Sequence, residues 1–195
     1  GGTYGDADLT HLLAGSGGGG GNERQGGGGG GAIKVVSTGT LTLGAGIGAD
    51  GGAGGARWNE ARRSGGSGSG GAIYLKGDNV VINSGVTISA SGGLPARHGN
   101  GLITGGNTWA SDGGGSGAAA GGGGRVYLEA TSSLINNSSA TNSNLVATGG
   151  TGTNRPGTDG TVKLIRPQVT SLVFTSGTLV IDTSMATISH SDGSF

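Results

Sequence analysis

Cysteine is absent from the 195 residues, which excludes disulfides, thiolate chemistry and Cys-based zinc sites. Proline occurs only 3 times, and only 11% of residues are charged. The 11 basic and 11 acidic side chains cancel to a formal charge of zero. A neutral chain lacks the basic stripe that neutralises phosphates, so no nucleic-acid partner is expected. No apolar run approaches the roughly 18 residues of a spanning helix, so no membrane span is expected either. Aromatic residues make up 4%, which leaves Val, Ile and Leu to build any core.

What is abundant is glycine, with 51 residues. Collagen is excluded because Gly does not recur at every third position alongside plentiful Pro. Disordered chains pair low hydrophobicity with high net charge, and this chain has no net charge to offer. Its β-branched residues are also grouped rather than scattered. The reading is an ordered, low-charge β protein of one domain.

The grouping is a repeat. Four strand starts read Gly30-Gly31-Ala32-Ile33-Lys34-Val35, Gly70-Gly71-Ala72-Ile73-Tyr74-Leu75, Gly123-Gly124-Arg125-Val126-Tyr127-Leu128 and Asp159-Gly160-Thr161-Val162-Lys163-Leu164. Three later segments close on Gly-Gly: Ile47 to Gly52, Ile88 to Gly93 and Leu145 to Gly150. Registered segments recurring at this spacing are how stacked architectures appear in sequence. The expected fold is all-β, a repeat-built stacked-strand or parallel β-solenoid with ordered glycine-rich loops of polyglycine-II type. Segments 32–47, 72–90, 125–147 and 161–182 should occupy equivalent layers, with Ile33, Ile73, Val126 and Val162 in register. Strand pairs are expected near 32–37 and 40–47, 72–76 and 79–90, and 125–130 and 133–147. No capped stripe of 3.6-residue period is present, so helix is not expected.

Five glycine runs recur outside the expected strands (17–21, 26–31, 65–71, 113–117 and 121–124), several on either side of a polar tip. Extended glycine chains of threefold period can approach one another as no other residue allows. Neighbouring backbones then satisfy the N–H and C=O groups that a buried loop cannot leave unpaired. On this reading a bulky side chain at Gly28 or Gly122 should be destabilising.

Gly-Gly-Ala-Ile-Lys-Val, Gly-Thr-Leu-Thr-Leu and Ile-Ser-Ala-Ser-Gly-Gly resemble the glycine-rich β-strand repeats of very large bacterial secreted and cell-surface proteins. The resemblance covers residues 1–165, the glycine-rich region of the domain. Residues 166–195 depart from it as a glycine-poor C-terminal β segment, a cap or an inter-subunit strand. The resemblance implies extracellular or cell-surface location and structural or adhesive roles, and carries over no catalytic residues.

Chemical motifs point the same way. Gly-x-Gly-x-x-Gly matches from Gly15 lack the helix and acidic residue of a dinucleotide site. Gly66-Ser67-Gly68-Ser69-Gly70 lacks the strand-to-helix context of a nucleophile elbow. His11, His98 and His190 have no partner at metal-ligand spacing. Asp50 and Asp112 read as turn residues, and the sequons at Asn136 and Asn137 as a polar loop. No enzyme activity, cofactor or metal is expected.

Two sets of residues carry functional expectations. Arg24, Arg57, Trp58, Arg62, Arg63, Arg97, Trp109 and Arg155 lie in glycine-rich excursions, and Arg and Trp are enriched at contact hot spots. They are the candidate binding or inter-subunit surface. Leu172, Val173, Phe174, Leu179, Val180, Ile181 and Ile188 form a candidate assembly strand that could add to the edge of another copy. The leading functional reading is a self-associating extracellular filament or surface-matrix subunit. The alternative is a cell-surface or phage-tail adhesin holding carbohydrate with the loop-tip Trp and Arg residues.

Overall fold

A computed structural model describes residues 9–20, 25–55, 65–95, 119–151 and 155–167. Within them the chain is all-β. The Gly-Gly steps at 30–31, 70–71 and 123–124 run into alternating aliphatic residues that form β1 (Ala32–Val36), β4 (Ala72–Ile82) and β6 (Arg125–Asn136). The remaining strands are β2 (Thr40–Leu43), β3 (Ile47–Gly48), β5 (Ile88–Ser89), β7 (Leu145–Val146) and β8 (Thr161–Ile165). Every pairing is parallel. One sheet has the order β1-β4-β6-β8, with β2 also beside β4, and the second has the order β3-β5-β7.

The register follows the repeat. Ile33 pairs with Ile73, Ile73 with Val126 and Val126 with Val162, so the four expected equivalents form one column. Val35, Leu75, Leu128 and Leu164 form the next inward column. Alternation from Ile73 to Lys76 of β4 buries Ile73 and Leu75 and leaves Tyr74 and Lys76 on the other face. Ile88 and Leu145 of the second sheet, with Ala90 and Ala147 just beyond it, join this cluster and complete one aliphatic core.

The expected second strand 40–47 proves to be two strands in different sheets, β2 and β3. The expected breaks at 76/79 and 130/133 are absent: 79–82 and 133–136 continue β4 and β6, and only β5 and β7 lie in the second sheet. A corner divides the two sheets. In the middle layer it lies at Asn83–Gly85, where Gly85 has φ 77°, a conformation that costs glycine nothing. In the next layer Asn142 takes the equivalent left-handed role with φ 58°. There Asn136, expected to lie in a polar loop, donates from its amide to Asn142 and Asn144 at 3.0 and 2.8 Å. β4 also takes one residue fewer than its neighbours at Gly77–Asn79, and the N–H groups of Asp78 and Asn79 share the Gly39 carbonyl.

The glycine segments are hydrogen-bonded to one another with a period of three. Gly65, Gly68 and Gly71 donate to Gly55, Gly52 and Ala49; Gly66 and Ser69 donate to Gly19 and Ser16; Ser67 and Gly70 donate to Ala119 and Gly122. Successive residues therefore address three different neighbouring segments in rotation. The packing is closest where these chains meet: a methyl added at Gly68 would fall on the Gly28 carbonyl, and one at Gly121 on the Gly68 carbonyl.

The expectation for Gly28 and Gly122 is corrected by this geometry. A Cβ at Gly28 meets open space, and one at Gly122 meets only Thr158 atoms at 3.6 Å. One residue in three of a threefold chain faces away from its neighbours, and both glycines occupy such positions. Gly68→Val and Gly121→Val should therefore lower stability by at least the ~1–3 kcal/mol of overpacking, with melting temperature falling several degrees. Gly28→Val and Gly122→Val should melt close to the parent protein. Equal melting temperatures for all four variants would contradict the packing described.

Candidate functional surfaces

Alternation in the first sheet turns a second set of columns outward. Lys34, Tyr74, Tyr127 and Lys163 occupy one register position on β1, β4, β6 and β8. The tyrosine rings stack with centroids 4.8 Å apart and planes 8° from parallel. Lys34 lies 4.8 Å from the Tyr74 centroid and Lys163 lies 5.5 Å from that of Tyr127. Two cations thus bracket two stacked rings, the arrangement a ring's negative face favours. One step along, Lys76 and Glu129 pair at 2.8 Å, and the hydroxyls of Tyr74 and Tyr127 donate to the other Glu129 oxygen at 3.5 and 3.3 Å.

Leu9 and Leu12, far away in sequence, cover part of this face. Leu9 is buried against Ala72 and Tyr127, with Leu12, Tyr74 and Ile165 packed around them. Its φ of 48° is unusual for leucine, and burial of the side chain offsets that strain. The chain then runs through Gly15, whose N–H donates to Gly30, into the glycine packing. Beside this segment an open groove of ≈ 430 Å³ is lined by His11, Ser16, Ser69, Arg125, Arg155 and Asp159, among others. Arg125 donates to Thr161 at 3.4 Å, and an Asp159 oxygen accepts the Gly149 N–H at 2.8 Å.

Of the residues expected to form the binding surface, Arg155 alone is described, exposed at the rim of this groove. Arg24, Arg57, Trp58, Arg62, Arg63, Arg97 and Trp109 lie outside the described residues, as do Leu172, Val173, Phe174, Leu179, Val180, Ile181 and Ile188. The serines of the Gly-x-Ser-x-Gly run are occupied in packing: Ser67 is buried and donates to the Leu94 carbonyl, while Ser69 meets Ser16 at 3.3 Å. Asp50 holds the Ser91 N–H at 2.6 Å and the Ser89 hydroxyl at 2.5 Å. Among the described residues no group of three or more His, Asp or Glu side chains is placed to hold a metal ion. No described helix is long and apolar enough to cross a membrane.

No protein-family model, curated protein or solved structure matches this chain. Function must therefore be argued from the surfaces themselves. The outward column is the one that sequence reasoning passed over, although its signal was present. Lys34, Tyr74, Tyr127 and Lys163 hold the same place in the four repeated strand starts.

The Lys76 hydrogen bond holds the Glu129 carboxyl below its usual range, in spite of opposing desolvation. A depressed carboxyl contributes stability above the unfolded carboxylate pKa of about 4.3, and that contribution is lost as pH falls. Burial first, then the Glu129 charge, raises both Tyr74 and Tyr127. Raised phenols contribute stability below pH about 10 that is lost as pH climbs through their folded values. In an absorbance titration of the folded protein, two of the three tyrosines should ionise later than a free phenol. In Glu129→Gln they should shift back toward it, and the acid-side fall in melting temperature should be smaller. Ordinary titration of both tyrosines in the parent protein would contradict the cluster.

Proposed function

We propose that this chain is an extracellular structural protein, a self-assembling filament or surface-matrix subunit, built as a parallel β-solenoid with a polyglycine-II face. The parallel register and the threefold hydrogen bonding of the glycine segments support the architecture. One observation carries the function. Along the column Ile33–Ile73–Val126–Val162 the exposures are 39%, 0%, 1% and 42%. The two inner members are sealed by their neighbours, while the two outer ones are open, and Val36 on β1 is 55% exposed. No described strand pairs the far edge of β1 or of β8. Among the described residues the stack is open at both ends and presents different edges at its two poles, and a head-to-tail contact between such edges propagates rather than closes.

The sequence supplies a donor for the same contact in the glycine-poor segment around Leu172 to Ile188, which strand addition would place on an open edge. Nothing in the outward column or the glycine packing offers a nucleophile, base and orienting group together. The adhesin reading draws on the groove beside Arg155, where Arg125 and His11 also lie.

Electron microscopy of concentrated protein over a range of salt should show long regular fibres. Ile33→Asp and Val36→Lys, both at exposed positions, should keep the fold and shorten or abolish them. Discrete particles with glycan affinity would favour the adhesin, and fibres indifferent to both substitutions would place assembly elsewhere.

A further inference from the structure

We propose that the open groove beside residues 15–20 is an unfilled position of the glycine packing, and that it receives the exposed segment 15–20 of a second copy of this chain. The inference rests on the self-assembly reading above and adds a contact that the strand edges do not supply. Threefold hydrogen bonding fixes where each residue points. Gly15 and Gly18 donate to Gly30 and Gly27, while Ser69 and Gly66 donate to Ser16 and Gly19. Segment 15–20 therefore lies across 25–31 and 65–71, meeting carbonyls of one and N–H groups of the other at every third residue. The strand register carries this arrangement one layer on. Ala32 pairs with Ala72 and Ala72 with Arg125, so Gly30 corresponds to Gly70 and Ser69 to Gly122.

Gly70 and Gly122 both line the groove. Among the described residues nothing donates to the Gly70 carbonyl and nothing accepts the Gly122 N–H, although Gly121 and Gly123 on either side donate to Gly93 and Thr158. One more layer repeats the pattern: the Gly123 carbonyl and the Thr158 N–H also face the groove without a partner among the described residues. Acceptors and donors recurring at this period suit an extended backbone rather than a side chain. The occupant must also be bare where it meets the floor. In the filled position a methyl at Gly15 or Gly18 would fall on the Ser69 or Gly66 carbonyl, whereas one at Gly19 meets nothing. Segment 15–20 meets these demands in its own layer, and Ser16, Gly17, Gly19 and Gly20 remain exposed on its far side. A threefold chain offers neighbours on every side, so the segment can keep its own contacts and enter the groove of another copy.

Amide NMR of the full chain titrated with the peptide Ala14–Gly20 tests this. The Gly122 and Thr158 amides should shift, while those of Gly68 and Leu75 stay in place. Gly18→Val in the peptide should abolish the shifts, and Gly19→Val should be tolerated. In the protein, Gly122→Pro removes the donor at a backbone angle proline shares, and Gly122→Val fills the groove from an open position. Each should weaken peptide binding about tenfold or more and melt close to the parent. Gly28→Val, open but away from the groove, should bind as the parent does. Raising the concentration of the chain alone should move the same two amides. Peptide that shifts neither amide would overturn the site. Peptide shifts with no response to chain concentration would overturn the second copy as occupant, in favour of another glycine-rich polypeptide. Fibres that form equally well in Gly122→Pro would overturn the part of the groove in assembly and leave the self-assembly reading standing.

Discussion

A segment with almost no side chains can be buried only if its backbone polar groups find partners, and this constraint organises the molecule. An unpaired buried amide costs free energy comparable to a lost hydrogen bond. In the run 65–71 every N–H has a carbonyl on one of three neighbouring segments. That rotation needs chains with threefold character lying almost in contact, so side chains are excluded wherever two backbones meet. The serines and alanines that interrupt the runs have places to go: Ser67 reaches the Leu94 carbonyl and Ser16 meets Ser69. Composition, hydrogen bonding and packing are here one fact seen at three levels.

The glycine packing and the sheets depend on each other through register. Gly71 donates to Ala49 and Ala72 to Gly31, so the last glycine contacts pass directly into the ladder that begins at Ala72 and Ile73. A one-residue slip of a strand would turn its inward column outward and pull its glycine segment off its partners. The aliphatic core is small, built from Ile, Leu, Val and Ala, and it is effective because its members sit in columns that seal one another. Sealing fails at the outer layers, and those layers carry the surfaces on which the functional reading rests.

Much of this architecture was legible in the sequence. Gly-Gly followed by alternating aliphatic residues marked the starts of β1, β4 and β6, Asp159-Gly160 marked that of β8, and the shared spacing gave the Ile33, Ile73, Val126, Val162 column. The corners were harder. Val86 to Ala90 reads as a continuation of Val80 to Ile82, yet the turn at Asn83–Gly85 carries it into a second sheet. The choice of Gly28 and Gly122 as closed positions failed because a glycine run has no side-chain pattern to reveal which third of its residues faces outward. The tyrosine and lysine column went unremarked because, in a strand start, the aliphatic residues mark the core while the residue between them carries no signal beyond facing away from it. The Arg and Trp tips other than Arg155, and the residues of the expected assembly strand, lie outside the described residues.

Amide hydrogen exchange resolved to single residues addresses the central claim, that the glycine segments are held by one another as firmly as the strands. The N–H groups of Gly68 and Gly121, each 2.9 Å from a carbonyl on a neighbouring segment, should exchange as slowly as those of Leu75 and Leu128. Exchange of both glycine amides at unprotected rates, with the strand amides still protected, would contradict the account.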